Sequence, residues 1–292
     1  LGKTPDEHFA DIAALIAEAG SRGISVNVYL EDWSNGMRSS QGYVFTFLDF
    51  LSNQPVKRIL LPDTLGILTP DETHLYLREI VERYPNTHFD FHGHNDYDLA
   101  TANVLNALKA GVKGIHLTVN GLGERTGNAS LASVIAVIND FLPEITTGVV
   151  ESSVYSISKI VESFSGIRIA ENHPIVGENV FTQTAGVHAD GDKKKNLYVS
   201  DLNPERFGRK TSYALGKTSG KANIEKNLQE LGIKLNDEDL KKVTARIIAL
   251  GDRKETVTRE DLPYIISDVL DRDSISEDIK ILNYVLTHSR GL

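Results

Sequence analysis

His92-Gly93-His94 places two imidazoles two residues apart, with Asn95, Asp96 and Asp98 following at once. Alternate residues of a strand share a face, so on a strand both rings aim at one point. Two neutral imidazoles converging at a strand end are a common way to hold Zn²⁺ or a similar divalent ion, and neighbouring Asn and Asp side chains can orient such rings. Two polar strand-end histidines that simply hydrogen-bond satisfy the same spacing, so both readings stand. Glu31-Asp32 and Asp63-Thr64 also close strand-like runs, as site residues or as caps. The loop NGLGERTGN, residues 120–128, brings Glu124 and Arg125 beside the histidine strand. A buried Glu124–Arg125 pair would tune acid–base chemistry, whereas a tight turn would leave it a surface ion pair.

Four other patterns carry no chemistry. The glycines at 121, 123 and 127 read GxGxxxG, one residue off the dinucleotide fingerprint. Gly216-Lys217-Thr218 lacks the P-loop glycine five residues earlier, where Thr211 stands. Asn128-Ala129-Ser130 matches a glycosylation sequon by chance. Lys193–Lys195 reads as a solvated loop.

The elements that must position these groups alternate. Apolar residues at helical spacing run from Pro5 to Gly20, with Thr4 as cap. Ile24–Leu30 reads as a strand, Tyr43–Leu51 as a helix, and Arg58–Leu61 as a strand stopped by Pro62. Pro70–Tyr84 is a helix with Thr69 and Glu72 at capping-box spacing. His88–Phe91 is a strand, Leu99–Ala110 a helix closed by Gly111, Gly114–Val119 a strand and Leu131–Phe141 a helix. Strand–helix repeated four times predicts an α/β fold, a parallel sheet with helices outside it. The polar clusters follow the strands, and parallel α/β proteins place their chemistry at the carboxyl ends of strands. Beyond about residue 145 the pattern turns mostly helical, with Val154–Phe164, Asn223–Leu231 and Leu240–Leu250.

Composition narrows the classes. The 292 residues include no cysteine, which excludes a disulfide scaffold, a thiolate metal site and a cysteine nucleophile. That fits a reducing, cytoplasmic setting. No apolar run reaches the ~18 residues of a membrane span, and acids run through the first residues, unlike a signal peptide. Forty acidic against 31 basic residues, net −9, argue against a nucleic-acid partner. The chain begins at Leu1 and stops on HSRGL after an apolar run, so both ends read as cut.

With these loops assembled, the chain resembles the 2-isopropylmalate synthase family, within the metal-dependent TIM-barrel lyases and condensing enzymes. The matching pieces are YLEDWS, LPDTLG, FHGHNDYDLATAN, GIHLTVNGLGERTGNASL, PIVG, FTQTAGVHADG and LGKTSGK, in family order across nearly the whole chain. The resemblance implies a Claisen-type acyl transfer: acetyl-CoA, deprotonated at its methyl group, attacks the ketone of a 2-oxo acid, and the thioester is hydrolysed. It implies a divalent ion (Zn, Mn or Mg) held by His92, His94 and Asn128, and an oxo-acid carboxylate held by Thr64. Glu31 and Glu124 match active-site glutamates. His188 matches a histidine that works on acetyl-CoA and arrives from the partner subunit, which implies a homodimer. Leucine biosynthesis is the setting that follows; citramalate or homocitrate synthesis are alternatives.

The family's barrel opens on a strand ending in Arg-Asp-Gly, whose aspartate is a metal ligand, and no such motif occurs here. The four strands match the last four of eight. The expected organisation is therefore the C-terminal half of a TIM (β/α)8 barrel over 1–145, a helical subdomain over 146–270, and the start of a regulatory domain over 271–292. Such a fragment is expected to be inactive alone. A non-catalytic module that kept the family's loops, and a CoA-thioester lyase, are the competing readings.

Overall fold

A computed structural model describes residues 2–183, 200–216, 219–255 and 257–270. Packing divides the chain into two units: 1–180 with 201–209, and 181–200 with 210–292.

The first unit opens with α1 (Pro5–Ser21), where Thr4 and Glu7 form a reciprocal capping box and Pro5 stands in the first turn. β1 (Val26–Tyr29), α2 (Trp33–Ser39), α3 (Gln41–Ser52) and β2 (Val56–Asp63) follow. α4 (Pro70–Arg83) repeats the capping box with Thr69 and Glu72. Then come β3 (Phe89–Gly93), α5 (Ala100–Ala110), β4 (Gly114–His116), α6 (Leu131–Phe141) and α7 (Val154–Ser165). Gly111 ends α5 at φ 101°, a left-handed conformation that favours glycine.

The four strands form one parallel sheet in the order β1-β2-β3-β4. Alternation along each strand separates two faces. Ile59, Leu61, Phe89 and Phe91 point to the helices and join Leu48, Leu51, Leu77, Ile80, Val104 and Ala107 in the core. The opposite face carries Tyr29, Arg58, Asp90, His92 and His116, a polar lining. Helices on the outside and chemistry on the inside are what a barrel wall requires.

Two expectations are corrected. Pro62 does not stop β2, which continues through it to Asp63. In a parallel ladder a residue directs its N–H and C=O to one side. Leu60 O accepts from Leu30 N at 3.0 Å, so Pro62, two residues on, faces the β1 side after that ladder has ended. Its missing N–H therefore costs no sheet hydrogen bond. The polar cluster after β1, residues 31–36, is not all loop: α2 begins inside it at Trp33, entered through Asp32 at φ 58°.

Asp63 shows why a strand-end carboxylate need not be catalytic. It is fully buried, and its two oxygens accept from Ile67 N and Leu68 N, each at 3.0 Å. Asp63→Ala would leave those two donors unpaired, at about 1–3 kcal/mol each. A fall of that size in unfolding free energy, read from urea denaturation, is expected; an unchanged midpoint would contradict it.

The second unit holds the short pair β5 (Thr182–Gln183) and β6 (Ser212–Tyr213), then α8 (Lys221–Glu230), α9 (Asp237–Asp252) and α10 (Leu262–Leu270). Ile224, Leu228, Leu240, Val243, Ile247, Leu262 and Ile266 make its own core. Among the described residues no helix is long and apolar enough to cross a membrane.

Candidate active site

The carboxyl end of β3 delivers His92 and His94 to one place. Their ring centroids are 4.9 Å apart with planes at 90°. Asn128 joins them through an antiparallel bridge between its backbone and that of His94. Its Nδ2 donates to Leu122 O at 3.0 Å, which orients the amide. The glycines around it serve this fold-back. A Cβ at Gly123 would lie 2.3 Å from Asn128 Nδ2, and one at Gly127 1.9 Å from Gly121 O. Gly121 and Gly127 also take positive φ.

Three polar atoms here are buried without a hydrogen-bond partner: His92 Nδ1, His94 Nδ1 and Asn128 Oδ1. Buried polar atoms are normally paired, so unpaired ones point to a missing group. Burial, then the charges of His94 and His116, push the His92 imidazole down to about 4, which keeps it neutral and able to ligate. This donor set of two imidazoles and an amide oxygen fits a divalent cation. Among the described residues no three of His, Cys, Asp and Glu group into a complete metal site. Among the described residues this donor set would make up part of a coordination shell, with no carboxylate completing it.

The neighbouring strand ends come close as well. Thr64 Oγ1 accepts from Asp32 N at 2.9 Å, leaving its own proton for another acceptor. Arg125 donates from Nε and Nη2 to Asp96 at 2.8 and 2.9 Å and from Nη2 to Thr64 O at 2.8 Å. It ties the 120–128 loop to the ends of β2 and β3. That fork holds the Asp96 carboxyl below its usual range. The buried Glu124–Arg125 pair does not form: the Glu124 side chain is 86% exposed and 3.8 Å from Arg125, whose main partner is Asp96. Glu31 is exposed just past the end of β1. His188 lies outside the described residues.

Sequence reasoning missed the groups beside the histidine pair. Tyr29, on the inner face of β1, has its ring 6.1 Å from that of His92 and is 42% exposed. Burial and the Glu31 charge push its phenol up to about 12, so it stays protonated. On β4, His116 stands directly across from His92, with ring centroids 6.0 Å apart. Asp90, one layer below His92, is buried and accepts from His88 Nε2 at 2.8 Å. Strand alternation in FDFHGH held the signal for Asp90; Tyr29 and His116 needed the strand register.

Residues 1–161 match the family described as HMGL-like, and residues 175–255 match the homocitrate synthase post-HMGL domain-like family. A Methanopyrus kandleri protein provisionally assigned as (R)-citramalate synthase is 34% identical, over 92% of this chain and 52% of its own length. The probable 2-isopropylmalate synthase of Ignicoccus hospitalis is 33% identical, over 93% of this chain and 67% of that protein. The 2-isopropylmalate synthase of Heliobacterium modesticaldum is 37% identical, over 92% and 53%. The chain therefore spans about half the length of most of these curated relatives. Among solved structures, the hydroxymethylglutaryl-CoA lyase of Pseudomonas aeruginosa matches 62% of this chain and 61% of its own at 19% identity, with a TM-score of 0.52. The Bacillus subtilis HMG-CoA lyase gives 0.51, at 20% identity over 57% and 58%. These likenesses show the fold.

Proposed function

The chain belongs to the HMGL-like family, and from that membership we propose that it is part of an acyltransferase that condenses acetyl-CoA with a 2-oxo acid, of the 2-isopropylmalate synthase type. Residues 1–145 would be the C-terminal half of the barrel, 146–270 the helical subdomain, and 271–292 the opening of a regulatory domain. The observation that carries the reading is the cluster of unpaired buried donors at His92, His94 and Asn128, set among loops of the synthase relatives. Those three residues would hold a divalent ion, which supplies Lewis acidity toward the carboxylate and ketone of the oxo acid.

The chain's own groups have distinct tasks. Thr64 Oγ1 has a proton to donate to the oxo-acid carboxylate. Arg125 keeps the 120–128 loop, and so Asn128, over the strand ends. Glu31 and Glu124 are exposed carboxylates at the rim, available to hold or relay protons in an assembled site. His188 would move the proton of the acetyl methyl group. A new carbon–carbon bond then forms at the ketone carbon, and water cleaves the thioester to release free CoA. A homodimer would bring His188 from the partner's helical region. The test is thiol release by a polypeptide of the relatives' full length carrying this chain, given acetyl-CoA and a panel of 2-oxo acids. Release with none of them would remove the proposal.

Tyr29 favours a second reading, citramalate synthesis, over its larger-substrate alternatives. A phenol ring beside His92 shortens the space available to the oxo-acid side chain. One methylene in an apolar pocket is worth about 1–3 kcal/mol, or about 10–200-fold. Tyr29→Ser is therefore expected to raise kcat/KM for a branched 2-oxo acid relative to pyruvate by at least about tenfold. An unchanged ratio on the same panel would exclude Tyr29 from substrate choice.

A further inference from the structure

Most interior positions of a parallel barrel are filled by branched apolar side chains. Here the layer beneath the candidate metal site is charged. Asp90 is 1% exposed. One of its oxygens accepts from His88 Nε2 at 2.8 Å; the other lies 3.3 Å from Arg58 Nη1 and 3.4 Å from His116 Nε2. The space for this carboxylate is built by the neighbouring strand: a Cβ at Gly114 would lie 2.0 Å from Asp90 Oδ1. A larger residue there would displace the Asp90 carboxylate, and the pairing of β4 beside Asp90 sets His116 opposite His92.

A histidine that ligates a metal is ordinarily oriented by a hydrogen bond from its other ring nitrogen. Neither ring nitrogen of His92 has a hydrogen-bond partner among the described residues, so whichever one ligates, the other lacks that support. Its ring is instead bounded by three others, those of Tyr29, His94 and His116. Tyr29 makes no side-chain hydrogen bond among the described residues, and His94 is itself unpartnered at Nδ1. His116 is the neighbour with an anchor, the Asp90 carboxylate. We propose that His116, held by Asp90, is a positioning residue that fixes the orientation of the His92 imidazole, in place of the hydrogen bond that ring lacks. This rests on the reading of His92 and His94 as ligands of a divalent ion, but ring orientation is measurable without the ion.

The test uses the 292-residue chain with isotope-labelled histidine and the variants His116→Ala, His116→Gln and Asp90→Asn. In metal-free protein, His92 ring resonances are expected to be single and sharp in the parent and broadened or doubled in His116→Ala, with unchanged far-ultraviolet dichroism. Titration with Co²⁺, followed by its visible absorption, is expected to show about tenfold weaker binding in His116→Ala. His116→Gln, which keeps a donor within reach of Asp90, should recover most of both signals. Parent-like His92 resonances in His116→Ala would overturn the proposal. Should that variant fail to fold, Asp90→Asn leaves every ring in place and removes the anchoring charge; parent-like behaviour there overturns it equally. Absence of Co²⁺ binding by the parent would sink the metal reading, and the ring resonances would still decide the role of His116.

Discussion

Replacing His92 and His94 together by alanine is expected to eliminate divalent-ion binding by this chain and to reduce thiol release by the full-length enzyme by about 10²–10⁴-fold. Asn128 Oδ1 and the two Nδ1 atoms are buried and unpaired, and removal of both imidazoles leaves one neutral amide oxygen, which cannot retain the ion alone. In the proposed reaction the Lewis acidity then lost would contribute several kcal/mol to stabilising charge at the ketone oxygen, and each 1.36 kcal/mol is tenfold in rate. The parent chain itself should bind Zn²⁺ or Mn²⁺ weakly, since its partial shell carries no anionic ligand. Isothermal titration checks both halves. Micromolar or tighter binding that survives the double substitution would show that the site lies elsewhere.

His188→Ala in the full-length enzyme should lower kcat by about 10²–10⁴-fold while changing KM for the oxo acid little. His188 is proposed to transfer a proton on acetyl-CoA, so it contributes in the transition state and not to holding the oxo acid. The expectation separates it from Thr64, whose proposed contact is with the oxo-acid carboxylate and whose loss should raise KM. Steady-state kinetics with both substrates varied reads the difference. Near-normal turnover would take His188 out of the mechanism.

Local signals in the sequence were sufficient where the physics is local. The Thr4–Glu7 and Thr69–Glu72 capping boxes mark the starts of α1 and α4 within one turn of chain. The apolar spacing of Leu131–Phe141 gives α6 its observed limits. His92 and His94 could be set on one face because strand alternation needs no partner strand. What stayed hidden depends on neighbours. Pro62 reads as a terminator until one knows which strand its nitrogen faces. Glu124 and Arg125 are adjacent in sequence, yet Asp96 takes the guanidinium because the loop folds back across β3. His116 lies 24 residues beyond His92 (116 − 92), and only the β3–β4 register sets them side by side. Tyr29 could be put on a strand but not beside an imidazole two strands away.

Residues 201–209 belong to the first unit although the chain on either side of them belongs to the second. Arg206 pairs with Glu151 and Asp140, and Arg209 donates to the carbonyls of Ile175, Gly177 and Glu178. The polypeptide thus passes between the units at 180/181, 200/201 and 209/210. No single scission of the backbone parts them. A gene truncated after Val180 would encode a barrel wall stripped of its two arginine fasteners, while one begun at Phe181 would carry those arginines with nothing to grip. Recombination that exchanges this wall between relatives must therefore move two separate stretches of coding sequence together.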